Sequence, residues 1–148
     1  MTDYSGLTLA LIEAKKAAAM GEVPVGAVLV RASVIVATGF NQKEKLKDVL
    51  GHAEIQVISE ASRLLGDWRL NGTTLYTTLE PCPMCAGVIL HSRIDRVVFG
   101  AWDLKWGAAG SVVNLFVPKQ FNHVTEIVYV PMVECEEILR DFFRERRG

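Results

Sequence analysis

The sequence predicts a single α/β domain with a mixed sheet and helices on its faces. Three observations predict it. Five β-branched runs and four helical patterns follow one another in the order α-β-β-α-β-α-β-β-α. The length, 148 residues, is that of one domain able to bury a real core. Half the residues are apolar and 22% are charged, with no internal repeat, low-complexity tract or linker.

Each element has its own signal. Leu7, Leu11, Ala14 and Ala18 recur at helical spacing, which predicts an amphipathic helix over residues 4–20 ending at Gly21. VPVGAVLVR and SVIVATGF are β-branched runs joined by a short polar link, Arg31 to Ser33, and read as a hairpin. Residues 41–51, NQKEKLKDVLG, are charged and lack a clean period; they read as a loop with room for a helical turn and with solvated lysines. HAEIQVISEASRLLG places Ile55, Ile58, Ala61 and Leu65 on one helical face and stops at Gly66. GTTLYTTL is a strand, CPMCAGVILHSR a helix with Pro83 in its first turn, and RVVFGA another strand. WDLKWGAAGS is a Gly-rich loop and EIVYVP the fifth strand. VECEEILRDFFRERR closes the chain as a helix, with Val133, Leu139 and Phe143 expected at buried positions.

Composition narrows the function. The net charge of −1 gives no global basic field, so nucleic acid would have to be held by a local patch. No run reaches the roughly 20 apolar residues that cross a bilayer. The first 20 residues are interrupted by Glu13, Lys15 and Lys16 and do not form a secretory signal. With three cysteines, an odd number, the expectation is a reducing, cytoplasmic setting, where Cys-x-x-Cys means metal or redox chemistry before it means a disulfide.

The chemistry concentrates at two helix starts. One opens His52-Ala53-Glu54; the other opens Pro81-Cys82-Pro83-Met84-Cys85. A helix N-terminus offers free N–H groups and a partial positive charge, which favours thiolate, the metal-binding form. Cys82 and Cys85 fall on one side of a first turn, and with His52 they make three ligands suited to zinc. Three protein ligands leave a fourth position for water, as in catalytic sites. Glu54, two residues from the histidine, can exchange protons with that water. Two small buried thiols, a capping histidine and an ordinary N-terminal acid would explain each residue alone, but not the set. A redox reading of the cysteines leaves His52 and Glu54 without a role.

His-x-Glu followed by Pro-Cys-x-x-Cys resembles the zinc-dependent cytidine/deoxycytidylate deaminase superfamily. Within it, GEVPVGAVLV, HAEI, LEPCPMCAGVILHSRIDRVVFGA, GAAGS, FNH and DFFR are similar to the bacterial tRNA-specific adenosine deaminases over nearly the whole chain. The resemblance implies a three-layer cytidine-deaminase-like fold and one Zn²⁺ per subunit held by His52, Cys82 and Cys85. It implies hydrolytic deamination of the wobble adenosine of tRNA to inosine, zinc hydroxide attacking C6 with Glu54 shuttling protons. It implies Asn41 and the Ala53 backbone facing the base, Pro24, Val25 and Leu79 lining an apolar pocket, and Asp103 on the substrate side. It also implies a homodimer that binds a tRNA anticodon stem-loop. The chain departs from the family at Gly51, Thr77, Trp102, Trp106 and Val124, toward the expected RNA side. Those tryptophans suit either base stacking or a subunit interface. The competing functions are a deaminase of free guanine or cytosine or of their nucleosides, a retargeted single-stranded DNA deaminase, and a silent zinc-binding subunit; the last would lack Glu54.

Overall fold

A computed structural model describes residues 1–147. The predicted order of elements is present. Helix α1 (Asp3–Ala19) starts at Thr2, whose hydroxyl accepts the Ser5 N–H, a capping bond from one of the residue types favoured at that position. Strands β1 (Gly26–Arg31) and β2 (Val34–Phe40) form the predicted hairpin. Its two-residue turn, Ala32-Ser33, has φ of 49° and 62°, the left-handed pair that matches the twist of paired strands. The 41–51 segment holds one short helix, α2 (Lys43–Leu46). Then come α3 (Ala53–Leu65), β3 (Thr73–Thr77), α4 (Pro83–His91), β4 (Arg96–Phe99), β5 (Glu126–Tyr129) and α5 (Val133–Arg147).

The sheet runs β2-β1-β3-β4-β5, antiparallel on the hairpin side and parallel from β3 to β5. Strand alternation divides the core in two. Ala27, Leu29, Leu75, Val97 and Phe99 face α3 and α4. Val28, Val30, Tyr76 and Val98 face α1 and α5. This is a three-layer arrangement with helices on both faces. Gly26 is required where β1 meets α1, because a Cβ there would run into the Ala10 carbonyl oxygen and the Ala14 nitrogen.

Two expected faces are rotated. Helix α3 buries Ala53, Glu54, Val57, Ile58 and Ala61, while Leu65 is exposed and Ile55 only half-buried. Its N-terminus turns into the site rather than only onto the sheet, so the buried stripe starts one residue earlier. In α5, Val133 and Phe143 are exposed. The covered stripe is Cys135, Ile138, Leu139 and Phe142, which is regular helical spacing shifted from the expected positions; Leu139 alone was anticipated. Among the described residues no helix is long and apolar enough to cross a membrane.

Candidate active site

The sheet delivers two helix N-termini to one end of the molecule. His52 is the N-cap of α3 and Cys82 the N-cap of α4, both with extended backbone. Neither side chain caps its own helix, so ring and thiol are free to point elsewhere. Pro83 occupies the first turn of α4, where its missing N–H costs nothing. Cys85 lies one turn in and is fully buried. The chain reaches His52 through a tight corner: Gln42 N–H donates to Gly51 O, and a Cβ on Gly51 would press on Lys43 Cα at 2.7 Å. That close approach explains glycine at position 51.

The three side chains converge. Cys85 Sγ is 3.4 Å and Cys82 Sγ 3.7 Å from His52 Nδ1, and all three ligand atoms lie within 4.8 Å of one another. For zinc with S at ~2.3 Å and N at ~2.05 Å, tetrahedral geometry puts N and S about 3.6 Å apart. The donor set and its spacing therefore fit zinc. The electrostatics favour thiolate at Cys82. Cys85 holds the Cys82 thiol down to about 4, while the same contact and burial push Cys85 up. The Cys82 side chain raises His52 in turn. Glu54, 4% exposed, is pushed up to about 7, first by burial. Its carboxyl can thus hold or release a proton near neutral pH.

With Cys85 buried behind them, His52, Glu54 and Cys82 line a cavity of about 590 Å³. Its lining includes Val25, Asn41, His52, Ala53, Glu54, Leu79, Cys82 and Asp103, all anticipated from the sequence. Pro24 is buried but does not line it; Val23 takes that place. Sequence reasoning also missed Lys43, Val49, Glu80, Pro83 and Met84. The Asn41 amide is held from both ends, donating to Val23 O at 3.2 Å and accepting from Lys43 N at 3.2 Å. One amide proton remains for a ligand. Ala53 is the first residue of α3, so its N–H has no partner within the helix. Asp103 accepts from the N–H groups of Lys105 and Trp106, which fixes the turn carrying it.

The two loop tryptophans separate. Trp102, 40% exposed, is anchored on Phe99 and Tyr129, with ring centroids 4.9 and 4.7 Å away. Trp106 is 67% exposed and lines the cavity. Of the remaining histidines, His123 bonds the Ile94 carbonyl at 2.7 Å and His91 is exposed on α4.

Fold and site together define a zinc-dependent hydrolase of the deaminase type. Residues 1–101 match the cytidine and deoxycytidylate deaminase zinc-binding region, and the chain belongs to that family. It is 52% identical to the tRNA-specific adenosine deaminase of Bacillus subtilis over 93% of this chain and 86% of that protein. It superposes, with a TM-score of 0.86 and 43% identity, on a structure from a study of A-to-I editing by tRNA:A34 deaminases at the wobble position. That match covers 92% of this chain and 99% of the other. A Bacillus subtilis guanine deaminase is more distant, at 30% identity and a TM-score of 0.68, covering 100% of this chain and 96% of its own.

Proposed function

We propose that this protein hydrolyses adenosine to inosine at the wobble position of tRNA. The observation that carries the reading is the buried Glu54 carboxyl beside a His-Cys-Cys triad at a cavity with ample room for a nucleoside. Likeness to tRNA-specific relatives across nearly the full chain supports the choice of substrate.

His52, Cys82 and Cys85 would hold one Zn²⁺ per subunit. When bound, that ion supplies a Lewis acid that makes water nucleophilic near neutral pH. Glu54 takes one proton from the attacking water and delivers it to N1 of the purine, then carries the second, from the new C6 hydroxyl, to the departing amine. A C6–O bond forms, the C6–N bond breaks, and ammonia leaves. Asn41 and the Ala53 N–H hold the polar edge of the base, and Val25 and Leu79 bracket its faces. Asp103 and the exposed Trp106 line the cavity and would meet a tRNA anticodon stem-loop, whose bases are already unpaired. Stacking on Trp106 would contribute roughly 1–3 kcal/mol.

The protein acts as a homodimer in this reading. Helix α4, PMCAGVILH, is apolar on every side, yet Met84, Gly87 and Val88 are only partly covered. A helix of that kind normally has neighbours all round. Three free thiols and an RNA substrate suit the cytoplasm.

The test uses an anticodon stem-loop with adenosine at the first anticodon position, digested and read for inosine by mass spectrometry. Inosine from the unaltered chain and none from Glu54→Ala is expected. Zinc-loaded protein that forms no inosine would overturn the substrate assignment. A free-base deaminase is the second reading, motivated by the guanine deaminase likeness and the net charge of −1. RNA turnover falls steeply with salt, whereas turnover of a small neutral base responds little.

A further inference from the structure

Two loops wall the cavity, and a buried carboxylate fixes each of them. Glu80, 1% exposed, accepts the N–H groups of Asp103 at 3.0 Å, Ala109 at 2.8 Å and Ser111 at 3.1 Å. It also lies 2.6 Å from the Ser111 hydroxyl, which reaches Asp103 O at 2.7 Å as well. Glu22, 2% exposed, accepts the N–H groups of Glu44 at 3.0 Å and Lys45 at 2.7 Å. Among the described residues neither carboxylate forms an ion pair with a basic side chain. Backbone N–H groups satisfy Glu22, and backbone N–H groups together with the Ser111 hydroxyl satisfy Glu80. The Glu80 loop brings Asp103 and Trp106 to the cavity lining; the Glu22 loop brings Lys43 and Val49. Space around Glu80 is already full, since a Cβ on Gly107 would overlap both its carboxylate and the Ser111 oxygen.

We propose that Glu80 and Glu22 are positioning residues that set the substrate specificity of this site. They hold the two loops that line the cavity in the placement a nucleotide within an RNA loop requires. The proposal rests on the RNA-editing reading. Its physical basis is the geometry of the contacts. A short side chain packed under a loop would hold it loosely, whereas one carboxylate receiving several N–H groups fixes backbone positions from Asp103 to Ser111 relative to Cys82, two residues along the chain. The metal triad makes no use of these bonds. Loosening them should therefore degrade substrate fit before it degrades chemistry.

The experiment compares the unaltered chain with Glu80→Gln, Glu22→Gln and Ser111→Ala, each zinc-loaded, on the anticodon stem-loop. Glutamine keeps the volume but turns one acceptor into an NH₂ group facing N–H donors. Glu80→Gln is expected to keep one zinc per chain and to lose amide-exchange protection across 103–111. Its KM should rise about tenfold or more, with a smaller change in kcat. Glu22→Gln should do the same while loosening 43–51 instead. Ser111→Ala, the mildest change, should raise KM about twofold to fivefold and covers the case in which a glutamine variant fails to fold. Loss of zinc in Glu80→Gln, or a fall in kcat at constant KM, would overturn the proposal. Active unaltered chain with KM unchanged in the variants would do so too. An unaltered chain inactive on the stem-loop would instead sink the RNA-editing reading beneath it.

Discussion

His52 Nδ1 and Cys82 Sγ lie 3.7 Å apart, and each residue is the N-cap of its helix without capping it. Both helices thus begin on residues chosen for something other than helix stability. A serine, threonine, asparagine or aspartate at such a position is worth about 1 kcal/mol over a non-capping residue. The site gives up that stabilisation twice.

This trade predicts a crossover. With chelator present, Cys82→Ser should unfold at higher temperature than the unaltered chain, by about 1 kcal/mol, because serine can cap α4. With zinc present the order should reverse, since binding adds free energy only to the folded chain that keeps its ligands. Thermal unfolding with and without chelator, alongside metal content, checks both arms. A Cys82→Ser protein that still holds zinc at full stoichiometry would remove Cys82 from the ligand set.

The acid limb of stability should depend on Asp3. Its carboxylate accepts two charge-assisted bonds from Arg96, both at 2.6 Å, and a third from the Tyr76 hydroxyl at 3.2 Å. The Arg96 hydrogen bonds hold the Asp3 carboxyl below its usual value. A carboxyl depressed in the folded state stabilises the protein above its unfolded value of about 3.9 and loses that contribution as pH falls through the folded value. Asp3→Asn should cost roughly 1–2 kcal/mol at pH 7, and the gap should close below about pH 4. Urea unfolding at pH 7 and pH 3 measures it. An equal gap at both values would show that shape, not charge, matters there.

The hairpin turn offers a gain. Ala32 and Ser33 both occupy left-handed φ, where a Cβ costs roughly 1 kcal/mol or more. Ser33→Gly should raise stability by about 0.5–1 kcal/mol without touching the site, which lies at the other end of β1. Denaturant midpoints would show it. A lower midpoint would mean that Ser33 makes a compensating contact.

Strand and helix order was legible because period and β-branching are local properties. The ligand triad was legible because ligand chemistry restricts residue type as well as spacing. The rotated stripe of α3 was not, since Glu54 is buried by the site and not by the apolar pattern. Glu80 and Glu22 were also silent. Their partners are chiefly backbone N–H groups 22 to 31 residues away, and backbone has no sequence signature. Lys43 read as a solvated lysine and is exposed, yet it also walls the cavity, a fact decided by how α2 folds back. Trp102 and Trp106 looked alike on paper; only packing on Phe99 and Tyr129 separates the anchored ring from the open one.

Glu54 carries the last prediction. It is buried beside the triad and lines the cavity, and burial pushes its carboxyl up to about 7. A group placed there for folding would be replaced at little cost by a neutral isostere, since burying a charge destabilises. A group placed there to move protons would not. Glu54→Gln should therefore keep zinc and match or exceed the stability of the unaltered chain, while turnover falls about 10²–10⁴-fold or more. Metal analysis, thermal unfolding and single-turnover inosine formation on one preparation separate the possibilities. Zinc loss would make Glu54 a ligand or a support of one. Retained turnover would assign the proton transfer to water alone, and the buried carboxyl would then have no function to offset its cost.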